Sequence, residues 1–220
     1  MANGIHGFFF KTPLESTFLA WQIQEIFKDQ IYAPFLVGKS DLTILDIGAF
    51  YGNASYYFSP FAKIIYAFEP TAESFEVLNL QLDFNEIKNV KAYQVAIANT
   101  DGEATFFRQA TNKTMNSLTP ANPNLQDTEI VKTIRLDTFF KQEGIEHVDL
   151  MKLDVEGSEY DIICGDGFAN VADKIDIVTG EIHSWAGRHP NQLKDAFKNN
   201  GFTFEIIPSE AQIFVAERIK

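Results

Sequence analysis

Asp46-Ile47-Gly48-Ala49-Phe50-Tyr51-Gly52 joins an apolar run, Leu42 to Ile47, to a short stretch of helical periodicity that ends near Phe58. A buried strand that turns on glycine into a helix is the opening unit of an open α/β sheet, and ligands of such sheets sit beyond the carboxyl ends of the strands. Glycines at that junction let the backbone reverse sharply and approach a ligand closely. The spacing is not the dinucleotide fingerprint G-x-G-x-x-G, because position 50 is Phe and no third glycine follows in register. The acidic residue stands two positions before the first glycine, where a carboxylate suits a cationic ligand group better than a pyrophosphate. The bland alternative is a plain tight turn with Asp46 capping the helix.

Outward from this turn, short apolar runs alternate with helical periodicity, which implies βαβ units on a largely parallel sheet. Toward the N-terminus, Thr12, Pro13 and Glu15 form a capping box for a helix whose stripe (Leu14, Phe18, Ile23, Ile26, Phe27, Ile31) runs to Pro34. Toward the C-terminus, strands are expected at Ile64–Phe68, Val90–Ala96, Val148–Leu153 and Ile175–Ile182. An extra strand is expected at Glu103–Phe107 and an extended stretch at Ile130–Leu136. A hairpin around Pro208-Ser209-Glu210 must pair Thr203–Ile207 with Gln212–Ala216 antiparallel. Helices are expected from Thr71 to Phe84, after the cap Asp137, from Ser158 to Cys164 ahead of a Gly165-Asp166-Gly167 turn, and from Pro190 to Gly201. The expected organisation is one α/β domain over residues 1–220, with an N-terminal helical extension (1–40) and a polar loop insert (110–129).

The composition narrows the functional classes. The chain has 220 residues, 45% hydrophobic and 22% charged, with 21 Phe for a large core and a net charge of −12. Bulk binding of nucleic acid is disfavoured, since a polyphosphate is repelled. One cysteine, Cys164, excludes an internal disulfide and a multi-Cys zinc site, and points to a reducing, cytoplasmic setting. On an apolar helix face it reads as core rather than nucleophile. Phe8-Phe9-Phe10 is too short for a signal-peptide core, and no run of about 18 apolar residues offers a membrane span.

Three further strand ends carry chemistry. In Tyr66-Ala67-Phe68-Glu69-Pro70, Glu69 is placed to accept bonds from the two hydroxyls of a ribose; helix-start stabilisation is the alternative. In Lys152-Leu153-Asp154-Val155-Glu156-Gly157-Ser158-Glu159, the residues Glu156, Ser158 and Glu159 suit a first helical turn. Lys152 and Asp154 alternate on one face of an apolar strand, so they are expected to be paired or functional. In Glu181-Ile182-His183, the period of two puts Glu181 and His183 on one face. With Asp154 they could form a base-and-carboxylate cluster or an O/N metal site, and no metal is assigned. G-x-S-x-G, P-loop and H-E-x-x-H patterns are absent.

Taken in order from Leu42 to the C-terminus, these motifs resemble the class I S-adenosylmethionine-dependent methyltransferases, and more specifically the FkbM family. The residues are Asp46-Ile47-Gly48-Ala49 with Gly52, Tyr66 to Pro70, Val95-Ala96-Ile97 with Asp101-Gly102-Glu103-Ala104, Asn116-Ser117-Leu118, Leu136-Asp137, Leu150 to Glu159, and Glu181-Ile182-His183. The resemblance implies a Rossmann-like, seven-stranded, mostly parallel sheet of order 3-2-1-4-5-7-6 with strand 7 antiparallel. It implies S-adenosylmethionine as methyl donor and O-methylation of a sugar or natural-product hydroxyl. It assigns Asp46, Gly48, Ala49, Gly52, Asn53, Glu69, Pro70, Val95, Ala96, Ser117 and Asp154 to the cofactor. Asp46 and Gly48 would line its methionine end, Glu69 would hold its ribose, and Val95 and Ala96 would lie near its adenine. His183, Asp154, Glu181 and Lys152 are assigned to catalysis, with His183 as base, oriented by Asp154 or Glu181. The family often has Asn where this chain has Phe50.

The expected partner is a small-molecule or glycan acceptor, with no nucleic acid and no membrane span. Two other classes are considered: a nicotinamide-dependent oxidoreductase, which shares the ribose carboxylate and the sheet, and a non-catalytic binding protein on the same fold.

Overall fold

The computed structural model describes residues 20, 22–108, 116–118, 127–183, 188–207 and 212–220. The capping box at Thr12, most of the 110–129 insert and the turn Pro208-Ser209-Glu210 lie outside the described residues. Ten strands are described: β1 (Leu42–Ile47), β2 (Ala62–Phe68), β3 (Val90–Tyr93), β4 (Ala96–Ile97), β5 (Gly102–Arg108), β6 (Asp127–Ile134), β7 (Val148–Leu153), β8 (Ile175–Glu181), β9 (Glu205–Ile206) and β10 (Ile213–Glu217). Seven form one sheet in the order β3-β2-β1-β7-β8-β10-β9, with β10 antiparallel to both neighbours and the other pairs parallel. Renumbered within the sheet, this is the expected order 3-2-1-4-5-7-6.

Central strands of a parallel sheet are covered on both faces, so they read as near-continuous apolar runs. In β1, Leu45 and Ile47 join a cluster with Phe68, Met151, Leu153, Phe139 and Phe168. Ile44 faces the other way, toward Phe35, Leu36, Phe58 and Leu150. The helices that cover these faces are α1 (Ala33–Leu36), α2 (Asn53–Phe58), α3 (Ala72–Phe84), α4 (Leu136–Glu143), α5 (Glu159–Ile163), α6 (Asp166–Ala169) and α7 (Pro190–Asn199). Thr71 caps α3 by accepting from the Ser74 N–H, and Gly201 follows α7 at φ +81°. None of the described helices is long and apolar enough to cross a membrane.

Five local expectations are corrected. Cys164, expected in the core, is exposed just past the end of α5. The third core strand stops at Tyr93, and Ala96–Ile97 leaves it to pair with β6 in a second sheet of order β4-β6-β5. The N-terminal stripe does not continue as one helix to Pro34. It tightens into a π-helical turn, Gln24–Lys28, reverses at Gln30 (φ 54°), and restarts as α1 with Pro34 in its first turn, where the missing N–H costs nothing. The break lets Ile26, Tyr32, Phe35 and Leu36 all reach the core. Arg135, not Asp137, is the N-cap of α4. Gly165-Asp166-Gly167 opens α6 rather than forming a simple turn.

Candidate functional site

A cavity of about 520 Å³ opens at the carboxyl ends of β1, β2, β7 and β8, and Gln22, Glu25 and Ile26 of the N-terminal segment close one side of it. The glycine turn forms its floor. Gly48 sits at φ +79°, and a Cβ there would fall 1.8 Å from the Asp154 carbonyl oxygen, so β1 and β7 meet at a distance only glycine allows. The Gly48 and Ala49 N–H groups both donate to the Phe68 carbonyl (3.1 and 2.9 Å). Phe50 also has a left-handed backbone (φ 49°), the conformation Asn tolerates better than most residues. Here its ring stacks on Tyr51 at 3.9 Å instead and walls the cavity.

Asp46 and Lys152 are register partners on adjacent parallel strands, so their side chains leave the sheet side by side. The Lys152 ammonium lies 3.1 Å from Asp46 Oδ1 and 3.7 Å from Asp154 Oδ2, and donates to the Gly48 carbonyl at 2.7 Å. Asp46 Oδ2 accepts from the Ser55 hydroxyl at 2.6 Å. Burial alone would lower the Lys152 pKa, but the Asp46 and Asp154 carboxylates outweigh it and hold the ammonium above its ordinary range. Lys152 therefore stays positive. It ties the glycine turn to the end of β7.

Glu69 ends β2 on the cavity wall. It accepts from the Phe50 N–H (3.1 Å) through one oxygen and from the Thr71 N–H and hydroxyl (2.9 and 2.6 Å) through the other. Burial nevertheless dominates these bonds and pushes its pKa up to about 7.

Asp154, Glu156 and Glu181 line the opposite side. His183 is buried and lies behind them. Its Nδ1 is 2.8 Å from Glu159 Oε1, and its Nε2 is 3.4 Å from Glu156 and 3.9 Å from Glu181. Burial lowers the His183 pKa, but the bond to Glu159 and the charges of Glu159, Glu156 and Asp154 prevail and lift it to about 10. In this environment the ring is an imidazolium at neutral pH, and its orienting partner is Glu159 rather than Asp154 or Glu181. Burial, reinforced by the neighbouring carboxylates, raises Glu156 to about 8 and shifts Glu181 upward too.

The structure brings most of the sequence-selected residues to this one cavity. Gly48, Ala49 and Asn53 line it from the first turn, Glu69 and Pro70 from the second, Val95 and Ala96 from the segment after β3, and Lys152, Asp154 and Glu181 from β7 and β8. Four stand outside the lining. Asp46 is wholly buried against Lys152. Gly52 (φ 82°) caps α2. Ser117 bonds the Glu156 carbonyl and pairs with Phe107, so it holds Asn116 and Leu118 at the wall. His183 sits behind the carboxylates. Glu156 and Glu159 are the residues that helix-start reasoning set aside. Glu156 is at φ 52°, a left-handed position unusual for Glu, and Glu159 is 0% exposed.

This sheet order, with its one antiparallel strand and a cavity over the first turn, defines a class I methyltransferase fold. The chain belongs to the family described as the Methyltransferase FkbM domain, whose model matches residues 46–204. Among solved structures it is similar to a SAM dependent methyltransferase from Aquifex aeolicus, at 11% identity over 94% of this chain and 97% of that one, with a TM-score of 0.54. It is also similar to SMU.1697c from Streptococcus mutans in complex with SAH, at 12% identity over 87% of this chain and 97% of that one, with a TM-score of 0.50. At those identities the likeness is one of fold. Among curated proteins, "Methyltransferase 1" of Beauveria bassiana is 28% identical over 165 residues, 64% of this chain and 65% of that protein. The match spans between 10% and 66% of the length of the curated relatives.

Proposed function

We propose that the protein is an S-adenosylmethionine-dependent O-methyltransferase acting on a hydroxyl of a sugar or another small molecule. The observation that supports this reading is one cavity framed by the glycine turn, a buried ribose-type carboxylate and a row of carboxylates on β7 and β8. The residues present fit the donor. Glu69 offers a carboxylate to a diol, Val95, Ala96, Ile97 and Phe106 offer an apolar bed for a purine, and the acidic lining suits a cation. When bound, S-adenosylmethionine supplies a methyl group already activated on a cationic sulfur.

The protein's own task is then positioning and proton removal. The rigid floor at Gly48, fixed by Lys152, and the stacked Phe50–Tyr51 wall hold the donor. Glu181 faces the cavity from the end of β8 and takes the proton of the acceptor hydroxyl. His183 sits behind that wall with both nitrogens facing carboxylates, so Glu181 is better placed than His183 to meet the acceptor. Incubation with S-adenosylmethionine and a panel of sugar and polyketide acceptors should yield a methyl ether and S-adenosylhomocysteine by mass spectrometry. Methylation confined to nitrogen would contradict the reading.

A pH dependence follows from Glu69. Only its ionised form accepts from both ribose hydroxyls, and burial keeps it protonated up to about pH 7. Affinity for S-adenosylmethionine is expected to rise roughly fivefold between about pH 6 and pH 8, the difference between a neutral and a charged hydrogen bond. Glu69→Gln should remove that slope, as calorimetry at both pH values would show. A slope of opposite sign would contradict the assignment.

A further inference from the structure

We infer that Asp154, Glu156 and His183 form a site for a divalent cation of the Mg²⁺/Mn²⁺ class at the acceptor end of the cavity. One carboxylate oxygen from each acid and one imidazole nitrogen lie within 4.8 Å of one another. Asp154 and Glu156 both face the cavity, so a cation held there has open positions toward a ligand. Oxygen donors with a single nitrogen suit hard cations rather than thiophilic ones.

The orientation of the imidazole supports the same site. Glu159 Oε1 is fixed by the Val155 and Gly157 N–H groups (3.1 and 3.2 Å) and in turn holds His183 Nδ1 at 2.8 Å. That leaves Nε2 facing Glu156. A carboxylate behind one ring nitrogen, with the other nitrogen aimed at acidic ligands, is the usual support of a metal-binding histidine. Glu159 is fully buried, and its Oε2 has no hydrogen-bond partner among the described residues. A bare carboxylate oxygen this deep is costly unless positive charge lies close by. Within the sheet, Lys152 is already committed to Asp46 and Gly48 and reaches Asp154 only at 3.7 Å. A dication on the far face of the ring takes the place of the proton on Nε2 and keeps positive charge beside Glu159.

The role of the cation is to hold the acceptor oxygen beside the transferred methyl. That role rests on the methyltransferase reading, whereas the site itself does not. A second group, His147, Asp149 and Asp176, also lies close together. It is more exposed, and its acids are engaged by Arg218 (2.9 Å) and the Thr43 N–H (2.8 Å), so it serves as the control.

The test is titration of the full chain with Mn²⁺, followed by electron paramagnetic resonance. One saturable site is expected. The near-isosteric variants Asp154→Asn and Glu156→Gln should abolish it at an unchanged circular dichroism spectrum. Glu159→Gln should weaken it about 10- to 100-fold, and Asp149→Asn should leave it unchanged. Absence of saturable binding up to millimolar Mn²⁺, binding indifferent to Asp154→Asn and Glu156→Gln, or binding lost in Asp149→Asn overturns the site. Calorimetry with S-adenosylmethionine on the same protein separates the two ideas. Donor binding without Mn²⁺ binding removes only the metal, and Mn²⁺ binding without donor binding removes only the methyltransferase reading.

Discussion

Lys152→Met should destabilise the fold by about 3–5 kcal/mol, the cost of breaking a buried ion pair from one side. Asp46 is 0% exposed and Lys152 4% exposed, so the variant leaves a carboxylate in the sheet whose remaining partner among the described residues is the Ser55 hydroxyl. It also removes the donor to the Gly48 carbonyl. The methionine fills most of the space, so the effect is electrostatic rather than a packing defect. Adding Asp46→Asn to Lys152→Met should recover a large part of the loss, because the uncompensated charge is then gone. Urea denaturation at neutral pH measures both. A single-variant loss below about 1 kcal/mol, the range of exposed pairs, would contradict the pairing.

Gly48→Ala is the second large effect. A left-handed backbone costs a non-glycine residue roughly 1–2 kcal/mol, and the added methyl must also displace the Asp154 carbonyl, 1.8 Å from its ideal position. The expected total is roughly 2–5 kcal/mol, with loss of donor binding, since the turn and the end of β7 separate. Gly201→Ala provides the contrast. Its φ of +81° is similar, but among the described residues nothing lies within 4 Å of the added Cβ, so only the conformational cost of about 1–2 kcal/mol should appear. Equal losses at the two positions would show that contact with β7 is not what requires glycine at 48.

The contrast between those two glycines also indicates what the sequence can convey. The parallel core was legible because Leu42–Ile47, Ile64–Phe68 and Val148–Leu153 are apolar on both faces. The strand ends were legible because Asp46, Glu69, Asp154 and Glu181 interrupt those runs with charge. The antiparallel pairing of β10 followed from a connection too short for a crossover. The end of β3 was not legible, since Val95-Ala96-Ile97 is as apolar as a strand continuing in the same sheet. It leaves because Ala96 and Ile97 pair with β6, some 37 residues later in the chain. The role of Glu159 was hidden for a related reason. A glutamate at the start of a helix is ordinary on a surface, and only His183, 24 residues away, makes it a buried partner. His183 read as a base because its ordinary pKa lies near neutrality, yet the carboxylates against its ring nitrogens, Glu159 and Glu156, come from the segment after β7.

The central claim is that this cavity binds S-adenosylmethionine through Glu69 and the Gly48 turn. Isothermal titration of the full chain with S-adenosylmethionine tests it most directly, beside Glu69→Gln and a circular dichroism spectrum of each. Saturable binding with one donor per chain, weakened roughly 10-fold or more by Glu69→Gln at unchanged fold, is the predicted result. A folded protein that gives no heat at millimolar S-adenosylmethionine, or one that binds it equally well without the Glu69 carboxylate, would contradict the account.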